Sequence, residues 1–316
     1  MSKYLVTGGA GFIGSNITEK LVKRGERVVI LDDLSTGKRE NIGHLLGDIE
    51  FVEGDIRDPS IVRRALRGVS RVIHQAALAS VPRSIENPVL VNDVNIGGTV
   101  VMLDESRRAG VDIFVYAASS SAYGDTETLP KHEEILPQPL SPYAVSKLTG
   151  EYYCSVYART YGLPTLSLRY FNVFGPRQDP RSQYAAVIPI FVSHLQRGEP
   201  PTIHGDGEQS RDFTYVENVV NANLQAAECA RANGQVLNIA CGTSYTVNDL
   251  FNRLKALTGA SIDPIYDEPR PGDVKHSLAD VSMARELLGF EVSVSFEEGL
   301  ERTVAWYRST GRQVAG

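Results

Sequence analysis

Lys3-Tyr4-Leu5-Val6-Thr7-Gly8-Gly9-Ala10-Gly11-Phe12-Ile13-Gly14 is the stretch on which the fold turns. The apolar run from Lys3 to Thr7 reads as a buried strand, the glycines as a turn, and the amphipathic segment from Ser15 to Arg24 as a helix. The glycines stand at 8, 11 and 14, a G-x-x-G-x-x-G spacing. Such a turn lets backbone N–H groups and a helix N-terminus approach a pyrophosphate that any Cβ would block. A second strand, Arg27 to Leu31, ends at Asp32-Asp33. A carboxylate about 20 residues past the glycines accepts hydrogen bonds from an adenosine ribose and repels a 2′-phosphate, which favours NAD over NADP. A loop-initiating role for Asp32 is the structural alternative.

Working outward, apolar strands alternate with helices. Ile49 to Val52 leads to Asp55-Ile56, Arg71 to His74 leads to Gln75-Ala76-Ala77-Leu78-Ala79, and Ile113 to Ala118 leads to Ser119-Ser120-Ser121. Pro59 to Leu66 and Val89 to Ala109 supply helices between them. Strands without alternation of polar and apolar residues belong in a sheet covered on both faces. The expectation is an α/β fold, a doubly wound parallel sheet of the Rossmann type, with ligands bound beyond the carboxyl ends of its strands. Asp55, Ala76, Ser119 and Tyr170 fall at those ends. Ala76 and Ala77 are equally explained as packing residues. From Pro176 onward a smaller α/β lobe is expected, with a helix from Tyr184 to Arg197, an extended edge from Pro201 to His204 and a further strand from Gln235 to Ala240. The expected division is a cofactor domain over 1–175, with return segments near 212–245, and a substrate lobe over 176–316.

Ser141-Pro142-Tyr143-Ala144-Val145-Ser146-Lys147 carries the candidate chemistry. Ser141 suits an N-cap and Pro142 a first turn, so Tyr143 and Lys147 share one face of the helix they open. A phenol titrates near ~10, and to work as a base near neutrality its pKa must fall by roughly 3, worth about 4 kcal/mol. A nearby ammonium supplies part of that. Ser119 could relay a proton or bond a substrate oxygen, and three serines after a strand are also ordinary turn residues.

The formal charge of −6 argues against nucleic acid or an anionic membrane as partner. Cys154, Cys229 and Cys241 are too few and too far apart for a disulfide framework or a zinc site, which fits a reducing cytoplasm. His204 and His276 form no metal-like pair. The N-terminal residues run straight into the first strand, so no signal peptide is expected, nor is any apolar run of membrane-spanning length present.

Taken together, the glycine spacing, Asp55-Ile56, Ser119 to Gly124, Tyr143-x-x-x-Lys147 and Arg169-Tyr170-Phe171-Asn172-Val173-Phe174-Gly175-Pro176 resemble the extended short-chain dehydrogenase/reductase family, end to end. Within it the chain is similar to nucleotide-sugar 4-epimerases of the UDP-glucose/UDP-N-acetylglucosamine type. The resemblance implies NAD contacts from Gly8, Gly11, Phe12, Ile13, Gly14, Asp32, Asp33, Asp55, Ile56, Ala76, Ala77, Asn95, Tyr143, Lys147 and Tyr170. It implies Ser119, Tyr143 and Lys147 as the catalytic set. Dehydratases of the family carry an Asp-Glu pair after the catalytic Ser/Thr, where this chain has Ser120-Ser121, so dehydration is not expected.

The resemblance also places substrate contacts at Ser119, Ser120, Asn172, Val187, Ile188, Arg211, Arg270, Asp273 and Ser277. Planar guanidinium groups such as Arg211 and Arg270 suit a nucleoside diphosphate. Ser277 occupies the position that is bulky in enzymes restricted to UDP-glucose and UDP-galactose, and a serine there leaves volume for an acetamido group. A homodimer is implied through the helices around Val89 to Ala109 and Ser141 to Tyr161. Two alternatives stand beside the UDP-sugar epimerase: a UDP-glucuronate epimerase or decarboxylase, for which no group receiving the C6 carboxylate is evident, and a noncatalytic NAD-binding regulator.

Overall fold

The computed structural model describes residues 2–179, 186–269 and 274–310. The strands in its first half are β1 (Lys3–Thr7), β2 (Arg27–Asp32), β3 (Ile49–Glu53), β4 (Arg71–His74), β5 (Ile113–Ser119) and β6 (Thr165–Tyr170). Between them run helices α1 (Phe12–Lys23), α2 (Pro59–Ala65), α3 (Val81–Glu86), α4 (Pro88–Asn92), α5 (Gly98–Arg108) and α6 (Pro142–Tyr161). The second half adds β7 (Val173–Phe174), β8 (Thr202–His204), β9 (Ser210–Arg211), β10 (Thr214–Tyr215), β11 (Gln235–Ile239), β12 (Tyr245–Thr246) and β13 (Ile265–Asp267). Its helices are α7 (Val187–Arg197), α8 (Val216–Ala227), α9 (Val247–Thr258), α10 (Ser282–Leu288) and α11 (Phe296–Thr310).

Seven strands make one parallel sheet in the order β11-β6-β5-β4-β1-β2-β3. The order reverses between β1 and β4, the switch point at which doubly wound sheets open a crevice. Alternate residues feed two cores. Val6, Ile30, Val115, Leu168 and Ile239 pack toward α1 and α8, while Leu5, Val29, Val72, Phe114 and Tyr116 pack on the other face with α2, α5 and α6. Both faces are therefore apolar, which is why the strands lack alternation. No helix among the described residues is long and apolar enough to cross a membrane.

Beyond β6 the chain builds small two-stranded pairs, β7 with β10, β9 with β12 and β8 with β13. The edge expected at Pro201 to His204 is β8, and its partner β13 was not foreseen because Ile265–Asp267 is too short to show a period. Phe296, at the head of α11, stacks on Phe213 and Tyr245 at centroid distances of 5.3 and 4.2 Å and so ties the last helix to the lobe. Trp306 packs edge-on to Tyr307 on that helix.

One expected helix is divided. Val89 to Ala109 is α4, a wide π-turn over Asp93–Gly97, and α5. Within that turn Asn95 points inward, its amide bonding Leu78 and Ser146 Oγ. The expected helix start at Tyr184 lies outside the described residues.

Candidate active site

The glycine turn is held by backbone contacts. Gly8 has φ +65° and a Cβ there would lie 2.8 Å from the Ala76 nitrogen, while one on Gly14 would lie 2.1 Å from the Gly8 carbonyl oxygen. Only glycine lets β1, β4 and α1 meet this closely. No side chain caps α1 and its first turn carries no acid, so its N-terminal N–H groups and positive dipole end are left for an anion. In front of them lies a cleft of about 650 Å³, lined by Gly8, Gly11, Phe12, Ile13 and Gly14.

Asp32 and Asp33 after β2, Asp55 and Ile56 after β3, and Gln75 to Ser80 after β4 also line this cleft. Asp32 accepts one backbone N–H on each carboxylate oxygen, from Ala10 at 2.9 Å and Leu34 at 2.8 Å. Each oxygen keeps a lone pair for a hydroxyl donor. Burial nevertheless pushes the Asp32 carboxyl above its ordinary value against those bonds. The Asp55 carboxylate is gripped by the Arg57 guanidinium, which lowers its pKa and reaches on to Asp93. This donor and acceptor set fits NAD: amide N–H groups for the pyrophosphate and an oriented carboxylate for the ribose.

Two expected cofactor residues stand behind the cleft wall. Asn95 is buried with its amide committed to Leu78 and Ser146. Tyr170 is buried too, its phenol bonded to Gln75 and Asn223. Gln75, which sequence reading passed over, is the member of that network that reaches the cleft.

Ser119, Tyr143 and Lys147 are not among the residues that line the cleft; they meet at the carboxyl end of β5, the strand next to β4. β4 and β5 pair with His74 level with Tyr116, so the Gln75 to Ala79 segment runs beside Ala117 to Ser119. Ser141 caps α6 by accepting from the Ala144 N–H, and Pro142 fills the first turn. The Ser119 hydroxyl oxygen accepts from Ser121 N at 3.2 Å and Ser121 Oγ at 2.9 Å, leaving its own proton to donate. Tyr143 titrates above its ordinary value because burial disfavours the phenolate, and Ser119 opposes that shift. Lys147 does not figure among these influences; its ammonium donates to the Ala117 carbonyl at 2.7 Å. Burial pulls Lys147 itself down to about 8, against the pull of Glu151 and Cys154.

In the lobe, Ser277 and Arg211 are brought together on β9: Ser277 N donates to the Ser210 carbonyl at 3.0 Å, and Arg211 donates to the Ser210 and Lys275 carbonyls. Leu278, next in the chain, accepts from Lys131 N, and Lys131 Nζ donates to the Gly124 carbonyl at 3.0 Å. The Ser277 segment is thereby fastened to the end of the Ser119 to Gly124 segment. Asn172 takes a left-handed φ of 37° and donates to the Asp212 carbonyl, leaving its amide oxygen. Ser120 and Val187 are half-buried, and Ile188 is buried in the core, so only its backbone can meet a ligand. Arg270 and Asp273 lie outside the described residues.

Sequence reading also missed Lys38, Arg83, Arg177 and Asp179, all on the cleft. Lys38 pairs with Asp179 at 2.6 Å and Arg177 with Glu19, so the segment after Gly175 is strapped across to α1 and the β2 loop. Charges scattered over loops and a short helix carry no period or spacing that would mark them.

The model of the NAD dependent epimerase/dehydratase family matches residues 4–240. A putative UDP-glucose 4-epimerase of Methanocaldococcus jannaschii is 42% identical, covering 98% of this chain and 99% of its own. The UDP-glucose 4-epimerase of Thermotoga maritima, solved with UDP-glucose, superimposes with a TM-score of 0.93 at 43% identity, over 98% of this chain and 99% of that one. A UDP-N-acetylglucosamine 4-epimerase from Methanobrevibacter ruminantium, in complex with UDP-N-acetylmuramic acid, gives 0.94 at 40% identity with the same coverage. With its glycine cradle, its Asp32 and the Tyr143 and Lys147 pair beside one cleft, the chain belongs to the NAD-dependent epimerase/dehydratase family.

Proposed function

We propose that this enzyme is a UDP-sugar 4-epimerase that inverts C4 of UDP-hexoses, UDP-GlcNAc and UDP-GalNAc included alongside UDP-glucose and UDP-galactose. The observation that supports the reading is the convergence of Ser119, Tyr143 and Lys147 at the carboxyl end of β5, the strand paired with β4, whose following residues Gln75 to Ser80 line the cleft. Bound NAD supplies the hydride acceptor and, once reduced, the donor. Tyr143 takes the O4 proton, directly or through the Ser119 hydroxyl, and returns it to O4 after the sugar has turned the other face of C4 to the cofactor. Because burial outweighs the opposing Ser119 and leaves the phenol above its ordinary value, the protein's own groups do not make it a resting base. The positive charge of the oxidised nicotinamide supplies what they lack. Lys147 holds the nicotinamide ribose.

The nucleotide must stay anchored while the sugar turns, so binding energy has to come from the non-reacting diphosphate. Arg211 suits that task, and Arg270 is assigned it from the sequence. Ser277 is small, and the two hydrogen bonds flanking it hold its backbone where a larger side chain would intrude.

We further infer a homodimer. Val145, Tyr152 and Val156 form an exposed stripe along α6 at helical spacing, and Val89 on α4 is 77% exposed beside it. A contiguous apolar face of this kind is seldom left to water.

The test is to incubate the purified protein with UDP-glucose and with UDP-GlcNAc, no cofactor added, and resolve the 4-epimers by proton NMR. Conversion of both supports the full reading. Conversion of UDP-glucose alone removes the Ser277 argument, and conversion of neither, even with NAD added, removes the reaction.

A further inference from the structure

Lys147 is 4% exposed. An ammonium so deeply placed needs a countercharge, because desolvation otherwise favours the neutral amine. Its hydrogen bond to the Ala117 carbonyl supplies only a dipole, and the Tyr116 ring 5.1 Å away only a quadrupole. The titratable and charged groups facing it are Tyr143, Glu151 and Cys154 on α6, Tyr116 on β5 and His74 on β4, with Arg169 on β6 behind Glu151. Burial keeps both phenols and the Cys154 thiol protonated, and keeps His74 neutral with its pKa at about 3. Burial raises the Glu151 carboxyl as well, but Arg169 and Lys147 oppose that shift, so among the described residues Glu151 is the anion of the set.

Glu151 follows Lys147 by four residues and so shares its helix face. It is as buried as Lys147, and its two oxygens accept from Arg169 Nε at 2.8 Å and Nη2 at 2.7 Å. That fork geometry requires a carboxylate, since a protonated carboxyl would set a donor against a donor. The Arg169 guanidinium lies 4.5 Å from the Tyr123 ring centroid, packed over the segment that begins at Ser119. The ion pair therefore spans α6 and β6 directly below the Tyr143 and Lys147 pair.

We propose that Glu151 is a positioning residue of the reaction: fixed in place by Arg169, it supplies the countercharge that keeps Lys147 an ammonium. This rests on the catalytic reading above, in which Lys147 must be charged to hold the nicotinamide ribose beside Tyr143. A buried pair can also serve as a staple between helix and sheet, and the two roles have different signatures. A staple affects melting and the amount of folded protein. A countercharge moves the pH at which the folded enzyme loses activity.

The experiment compares pH profiles of kcat for the wild type, Glu151→Gln, Glu151→Asp and the double variant Glu151→Gln/Arg169→Gln, with Lys147→Met as reference. The double variant removes both buried charges at once, so it stays folded where Glu151→Gln alone leaves Arg169 unpaired. Loss of the anion is expected to move the basic limb down by about one pH unit or more in every folded Gln variant. Glu151→Asp restores most of it. An unmoved limb in the folded double variant, with Lys147→Met inactive, overturns this proposal alone. An active Lys147→Met overturns it together with the catalytic reading.

Discussion

The Lys147 ammonium is hydrogen-bonded at 2.7 Å to the carbonyl of Ala117, two residues before Ser119 on the same strand. The lysine is thus turned toward the sheet and is not paired with the phenol four residues before it. Its charge and that of the phenol are tuned by separate surroundings, burial with Glu151 for the one and burial with Ser119 for the other.

The first consequence is a pH dependence. Lys147 titrates at about 8, down from the ordinary 10.5, so the ammonium is present below that pH and lost above it. Activity that needs the ammonium should fall as pH rises through about 8. Stability moves the other way: between about 8 and 10.5 the unfolded chain binds the proton that the folded chain has shed, so the Lys147 contribution to stability increases. A kcat profile that declines above pH 8 while the melting temperature does not fall in step would match both signs. A profile flat to pH 10 contradicts them.

Tyr143→Phe removes the acid/base hydroxyl and leaves the ring in place. Turnover should fall by about 10²- to 10⁴-fold, with NAD still bound, as read by the absorbance and mass of the released cofactor. Ser119→Ala should cost about 10- to 100-fold, the worth of one hydrogen bond to a developing charge. Equal losses in the two variants would mean that Ser119 carries the proton in every turnover, while near-normal activity in Tyr143→Phe would remove the tyrosine from the mechanism.

Much of this was legible in the chain because the features are local. The Gly8 to Gly14 turn, Asp32 at the end of β2, and the Ser141 cap before Tyr143 and Lys147 each depend on neighbours within a few residues. What escaped depends on partners far along the chain. Asn95 is an expected NAD contact until the π-turn is seen to commit its amide to Leu78 and Ser146, and Gln75 acquires meaning only when Tyr170 and Asn223 close on it. Glu151 sits on a helix face readable from spacing, yet its ionic state depends on Arg169 on another element. A lowering of the Tyr143 phenol by Lys147 is the expectation for two groups on one helix face, and burial, which depends on elements far along the chain, sets the direction instead and raises the phenol.

The exposed stripe on α6 gives a prediction about assembly. Tyr152 and Val156 are 59% and 47% exposed, a turn apart on the same face. Light scattering on a sizing column should report twice the mass of the chain for the wild type and the monomer mass for Tyr152→Glu/Val156→Glu. Retained NAD in the variant would show that the cleft survives separation. A monomeric wild type at micromolar concentration removes the dimer.

Substrate choice should follow the volume at Ser277. Its side chain is buried, its own N–H is held by the Ser210 carbonyl, and the next residue accepts from Lys131 N. With both sides fastened, the backbone cannot retreat to make room, so Ser277→Tyr must place its ring into whatever space the serine leaves. Overpacking of this kind costs typically about 1–3 kcal/mol, and the cost falls on the ligand that needs the space. Conversion of UDP-GlcNAc should therefore drop by about 10- to 100-fold in kcat/KM relative to UDP-glucose. Both sugars share the diphosphate and the reacting C4, so damage to anchoring or chemistry would lower both rates together. A parallel loss on the two substrates would place Ser277 outside the sugar pocket, whereas a loss confined to the N-acetylated sugar would make the small side chain at this position the source of the broader specificity.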